Sequence, residues 1–158
     1  MASSPTHLAC PMAIIDAPID VVWNVLLNTA GWGAFYDVRV LSLEPPGPAR
    51  AGQRLIGHPG PRYLPFRLVF DFTEVDTVNH RLGFDGRLPL GIQVREMLIV
   101  TPIDRTRCRV NYNCDFKLPT GLRGRILWLV LRREFDSGPA DSLLRLKRHA
   151  ERLVADTA

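Results

Sequence analysis

Glu96 is the residue of this chain most able to do chemistry. Between Gln93 and Ile103 it alternates onto one strand face with Val94, Leu98 and Val100. A carboxylate on an apolar face loses hydration, and its pKa rises unless a cation stands beside it. That is how an acid/base group for neutral pH is made. Two other arrangements would also put a glutamate there: an ion pair with an arginine, or a place at a wet pocket mouth. Tyr112 has a related status. Its ring falls on the apolar face of the segment Thr106 to Leu118, and a buried hydroxyl needs a partner, either a ligand oxygen or the backbone. Trp32, Phe70, Phe72, Phe84, Leu98, Val100, Cys114, Phe116 and Trp128 form the candidate ligand-contacting set. The four phenylalanines also read as plain core.

Sharper signatures are missing. His7, His58, His80 and His149 are scattered without metal-ligand spacing. There is no nucleophile elbow, no phosphate-binding glycine loop and no HExxH, so neither a metal nor a cofactor is expected. His58 precedes Pro59-Gly60-Pro61 at a strand end, near a rim. Asp37 and Arg39 follow Trp32 and Phe35 near another rim, where a local ion pair is the simple reading. Cys108 and Cys114 would lie about 20 Å apart on one strand, at ~3.3 Å per residue, too far to bridge. The three cysteines read as reduced, buried thiols.

The elements that must position these residues follow from periodicity. Leu8 to Ile15 reads as a strand, with Pro11 tolerable at an edge or bulge. Asp16 is a good helix N-cap, with Pro18 in the first turn. Ile19, Val22, Trp23, Leu26 and Leu27 then share a helical face. A second short helical piece is expected around Trp32 to Phe35. Six strands follow, over Tyr36–Glu44, Gly52–His58, Leu64–Val75, Arg81–Asp85, Gln93–Ile103 and Thr106–Leu118. Phe66, Leu68, Phe70 and Phe72 make one apolar stripe. Cys108, Val110, Tyr112, Cys114 and Phe116 make another, alternating with Arg109, Asn111, Asn113 and Asp115. From Gly121 the pattern is helical to the end, with a kink or break expected at Ser137-Gly138-Pro139. This is an α+β chain with an antiparallel, one-sided sheet. One long helix must cover that sheet, and what it leaves uncovered is a cavity.

At 158 residues, with 46% hydrophobic and 23% charged residues, residues 1–158 are expected to form a single ligand-binding domain. No apolar run approaches the ~20 residues of a spanning helix. Met1 to Thr6 has no basic or long apolar leader, so cytoplasm is the default expectation. The net charge of +4 and pI near 9.3 come with no nucleic-acid motif, so no nucleic-acid partner is expected. The run Ile126 to Leu131, flanked by Arg123, Arg125, Arg132 and Arg133, has two readings. It closes the pocket as a lid, or it dips into an anionic membrane interface as a peripheral contact.

The opening Ile15-Asp16-Ala17-Pro18, followed by Val21-Val22-Trp23, resembles that of the START-like, helix-grip (SRPBCC) superfamily. That superfamily includes Bet v 1 allergens, lipid-transfer START domains and bacterial polyketide cyclases/dehydrases. Asp20 stands where many members have Glu. Arg81-Leu82-Gly83-Phe84, Arg95-Glu96-Met97-Leu98, Thr101-Pro102 and Leu146-Lys147-Arg148-His149-Ala150-Glu151 extend the similarity to bacterial members over nearly the whole chain. The resemblance implies a helix-grip fold: a curved seven-stranded antiparallel sheet around a long C-terminal helix, with two short helices after the first strand. It also implies a deep pocket for a hydrophobic or aromatic small molecule. Cofactor-independent cyclase or dehydratase chemistry on a polyketide-like substrate, with Glu96 moving protons and Tyr112 holding an oxygen, is one outcome. A non-catalytic lipid carrier or membrane-associated accessory protein is the other. Monomer and homodimer both remain open.

Overall fold

The computed structural model describes residues 6–60 and 66–158. Its sheet is antiparallel, built from β1 (Thr6–Ala9), β2 (Met12–Ile15), β3 (Val38–Glu44), β4 (Arg54–Pro59), β5 (Leu68–Asp76), β6 (Arg81–Arg87), β7 (Gln93–Pro102) and β8 (Cys108–Lys117). The order across the sheet is β1-β8-β7-β6-β5-β4-β3, with β2 also on β8. The eight strands occupy seven positions. Ala9 pairs Cys114 and Met12 pairs Asn111, so β1 and β2 are one strand in one register. Pro11, which has no N–H to give, interrupts it, although its carbonyl still accepts from the Tyr112 amide at 2.9 Å. The beginning of the expected Leu64–Val75 strand, residues 64 and 65, lies outside the described residues.

Register bears out the alternation of β8. Val110 and Tyr112 point inward and are buried, while Arg109 is exposed and Asn111 half-buried. Register shifts between Val40 and Ser42 and between Phe72 and Glu74 are bulges that curve the sheet. Gly86 on β6 allows the inner layer to close. A Cβ there would stand 2.6 Å from Val94 Cγ1 and 2.8 Å from the Phe70 ring.

Helix α1 (Ile19–Leu27) buries Val22, Trp23 and Leu26, and a short 3-10 helix (Thr29–Ala34) follows. Asp16 does not cap α1. Pro18 takes that position without a side-chain cap. Instead the Asp16 amide donates to Glu151 Oε1 at 2.8 Å, and its carboxylate lies 3.7 Å from Lys147 Nζ. The chain entering α1 is therefore tied to the C-terminal helix rather than to its own first turn.

That helix, α2, runs from Leu122 to Thr157 with Pro139 inside it, so of the kink or break expected there the break does not occur. Pro139 removes one backbone donor, leaving the Phe135 carbonyl without its usual partner. The turn is held instead by packing: Phe135, Pro139, Ser142, Leu143, Leu146 and Ala150 are buried along one stripe. Lys147 Nζ fastens α2 to the sheet by donating to the Ile14 carbonyl at 2.8 Å. At the other side of the interior, Trp32 is fully buried among Phe70, Phe72 and Phe84, with ring centroids 5.2 Å away for Phe84 and 5.4 Å for Phe72. This aromatic cluster fills much of the concavity.

Candidate functional site

The floor of the site is a carboxylate held by two phenols. Glu96 on β7 lies in register between Phe84 on β6 and Cys114 on β8, which aims it at the interior. It is only 3% exposed. Tyr112 reaches it from β8 and donates to Oε2. Tyr36, just beyond the 3-10 helix, brings its Oη to 2.6 Å from both carboxylate oxygens. The two phenol oxygens are 3.0 Å apart. Among the described residues no lysine, arginine or histidine forms an ion pair with Glu96, so the arginine partner considered from sequence is replaced by hydrogen bonds.

Burial is the main influence on Glu96, raising its pKa from the ordinary 4.5 to about 7, against the lowering effect of the bonds from Tyr112 and Tyr36. Removing a carboxylate from water disfavours its charged form. Both tyrosines are pushed well above 10.0, first by burial and then by the negative charge of Glu96. The phenols therefore remain donors near neutral pH, and Glu96 alone exchanges a proton there. The Cys114 thiol is also driven upward, by burial and then by Glu96, so it stays a neutral wall. Cys108 is buried too, whereas Cys10 is exposed, unlike the buried thiol expected.

Above this floor is a cavity of about 230 Å³. Tyr36, Glu96, Tyr112 and Phe116 line it from the sheet side, and Leu131, Phe135 and Pro139 from α2. Leu88, Leu90 and Phe66 stand at its rim with Asp37 and Glu134. Pockets that take drug-sized ligands run to roughly 300–1,000 Å³, so this one suits a small ring system or the end of a larger molecule. Among the described residues lining it there are carboxylates and no cationic side chain.

Of the residues singled out from sequence, Glu96, Tyr112 and Phe116 meet at this cavity. Trp32 and Leu98 border only a gap of about 10 Å³ beside Tyr36 and Tyr112, close to the least that holds one water. Phe70, Phe72, Phe84, Val100 and Cys114 are buried in the core around it. Trp128 is half-buried behind the wall, its ring 6.2 Å from Phe135 and 4.9 Å from His7. Only part of the expected lid faces inward: Leu131 lines the cavity, while Ile126, Leu129 and Val130 are exposed. Asp37 pairs with Arg145 at 4.0 Å rather than with Arg39. His58 Nδ1 meets the Phe66 carbonyl at 2.6 Å.

Tyr36 is the residue that strand periodicity misses, because that pattern makes it the first residue of a strand. The local signal is Trp32 to Tyr36 at i, i+4. The Tyr36 amide bonds the Trp32 carbonyl at 2.7 Å, so both rings turn inward together. Among the described residues no three His, Cys, Asp or Glu side chains converge as a metal set, and no helix is long and apolar enough to cross a membrane.

Comparison with known proteins agrees with this architecture. The Zhui aromatase/cyclase of Streptomyces sp. R1128 superposes with TM-score 0.73 at 16% identity, over 95% of this chain and 96% of its own. Norcoclaurine synthase of Thalictrum flavum, solved with dopamine and hydroxybenzaldehyde, gives 0.69 at 16% identity over 99% and 90%. A Thermus thermophilus protein gives 0.71 at 19% identity over 96% and 100%. At such identities the likeness is one of fold. No curated protein matches the sequence. The family model for polyketide cyclase / dehydrase and lipid transport matches residues 12–151, and with the curved sheet gripping α2 this places the chain in that family.

Proposed function

We propose that this protein binds a small, hydrophobic or aromatic, oxygen-bearing molecule in the cavity above Glu96 and moves a proton on it. The observation that carries this reading is a buried carboxyl, unpaired with any described cation and poised near neutrality, between two phenols that face the same cavity. A polyketide-like β-hydroxy carbonyl compound suits these groups. In its dehydration, the Glu96 carboxylate takes the proton from the carbon next to the carbonyl. Tyr112 and Tyr36 donate to the carbonyl oxygen as it becomes an enolate. The carbon–oxygen bond to the β-hydroxyl then breaks, and the new Glu96 carboxylic acid gives its proton to the leaving oxygen, which departs as water. Cyclisation would use the same enolate against a second carbonyl of the chain. The apolar walls fix the reactive conformer and exclude water. Anionic ligands are disfavoured beside Glu96, Asp37 and Glu134.

A second reading has its own support. Both Glu96 oxygens already accept from phenols, so the network is satisfied without a ligand, as a carrier requires. Native mass spectrometry of the purified protein, followed by turnover assays on the molecule it retains, separates the two. For an enzyme, Glu96→Gln lowers turnover by ~10²–10⁴ and leaves affinity within a few-fold. Full turnover in a folded Glu96→Gln protein removes Glu96 from the chemistry, whereas a wild type that retains its molecule without turning it over leaves the carrier.

A further inference from the structure

The first turns of α2 face the wrong way for a helix that merely covers a sheet. Their inward side is Gly124, Leu127, Trp128 and Leu131, as packing demands. The outward side should then be polar. Instead Leu122 is 72% exposed, Ile126 51%, Leu129 68% and Val130 69%. At 3.6 residues per turn, Leu122, Ile126 and Leu129 fall within about 60° of one another, opposite Leu131. Val130 widens the same stripe. Arg123 borders it on one side, Arg125 and Arg132 on the other, and Arg133 stands at its end. Arg123, Arg125, Arg132 and Arg133 are all exposed, and none forms an ion pair among the described residues. Glu134 and Asp136 close the basic stretch, Asp136 being held by His7 at 2.8 Å. A groove lined by Ile126, Leu127 and Leu90 joins the stripe to the cavity rim, since Leu90 also lines the cavity.

We propose that this outward face of Leu122 to Arg133 docks on an anionic lipid bilayer. The helix would lie in the interfacial plane, its aliphatic stripe among the upper acyl carbons and its arginines at the phosphates. Charge selects this occupant. A second copy would bring four more arginines against these four. A soluble acidic protein would satisfy the charge, but the face is a convex ridge of aliphatic side chains without aromatic anchors. Fluid acyl chains need no shape match. Docked so, the cavity rim at Leu90 lies beside the lipid surface, and an apolar ligand passes between bilayer and cavity without crossing water. This inference stands apart from the acid/base role of Glu96 and survives its failure.

The test is sedimentation of the purified protein with vesicles of equal parts phosphatidylglycerol and phosphatidylcholine, against vesicles of phosphatidylcholine alone. The wild type should bind the mixed vesicles about tenfold or more tightly, and raised salt should weaken that binding. A Leu129→Asp, Val130→Asp double variant should lose about tenfold or more. Val78→Asp, at an 84% exposed valine in the β5–β6 turn, should bind as the wild type does. Near-ultraviolet circular dichroism checks that each variant is folded. The proposal is overturned if the wild type ignores mixed vesicles, including when it instead binds a soluble acidic protein through this face. It is equally overturned if the folded double variant binds as well as the wild type. A third refuting result is a vesicle-indifferent dimer that the double variant converts to monomer, which would assign the face to a second copy.

Discussion

Replacing Glu96 by Gln should change how stability depends on pH, by an amount fixed by the site. The folded protein holds the Glu96 carboxyl at about 7 against an ordinary 4.5. Between those values the native state keeps a proton that the unfolded chain has released. Unfolding then releases protons, so stability falls as pH rises through this window. Below about pH 4.5 the group is protonated in both states and contributes no penalty. Above about pH 7 it is ionised in both, and the native state carries the whole penalty. The distance from 4.5 to about 7, at ~1.4 kcal/mol per pH unit, amounts to about 3 kcal/mol. The amide of the Glu96→Gln protein does not titrate, so the variant lacks this slope.

The assay is urea unfolding followed by tryptophan fluorescence, on both proteins, from pH 4.5 to pH 8.5. Gln adds a constant offset, because one of its amide hydrogens must find an acceptor where the carboxylate had none to satisfy. The other titrating groups contribute equally to both proteins and cancel in the difference. The stability of Glu96→Gln relative to wild type should therefore rise by about 3 kcal/mol across the window, or ~6–12 °C in Tm. Parallel curves would refute the reasoning: Glu96 would then be solvated or paired with a cation in solution.

Three further outcomes follow from the same contacts. Tyr36→Phe removes one donor from the carboxylate, so the wild-type midpoint near pH 7 should move upward in a stability–pH or rate–pH profile, and an unmoved midpoint would take Tyr36 out of the network. Gly86→Ala forces a methyl group against Val94 and the Phe70 ring and should cost ~1–3 kcal/mol in urea unfolding with unchanged m; a neutral result would mean that β6 and β7 are more loosely packed than they are here. Trp128→Ala removes the ring behind Phe135, so it should lower stability by less than the ~3–5 kcal/mol of a fully buried aromatic and weaken an apolar ligand only a few-fold; loss of binding in a folded variant would place Trp128 at the ligand itself.

The sequence pattern made the inward aim of Glu96 and Tyr112 legible because strands alternate strictly, and each residue sits among apolar same-face neighbours. The six strands from β3 to β8 and the long last helix were legible for the same reason. What carried no local signal was the partner of Glu96. Tyr36 is 60 residues away along the chain, and its inward turn depends on a short 3-10 helix whose direction is set by the burial of Trp32. A local rule also misplaced Asp16, and at Pro139 another allowed a break that the helix does not take. Asp16 had the right chemistry for a cap, but Lys147 and Glu151 of α2 offered it and its amide better partners. Pro139 should break an isolated helix, but buried contacts on both sides of it hold the turn. The size of the cavity was not legible either. The aromatic residues that could have walled a large pocket pack on one another, so most of the space is filled with side chains.

This filling bears on how a ligand would act on the proton. Within the site two phenols lower the pKa of Glu96 against the larger effect of burial. A carbonyl oxygen entering above them competes for those same donors, since each phenol has one hydrogen to give. A phenol that turns to the ligand no longer stabilises the carboxylate, and the ligand displaces water from the open side. Both changes make Glu96 a stronger base as the substrate arrives, while the phenols move to the oxygen where negative charge will develop. In the proposed reaction, binding itself therefore shifts the proton balance. A ligand without an oxygen acceptor leaves the phenols on Glu96, although it expels the same water. Among ligands of equal size, then, the oxygen-bearing one should raise the Glu96 midpoint more than the hydrocarbon does. A rate– or binding–pH profile reads that difference directly, and equal shifts would leave expulsion of water as the whole effect.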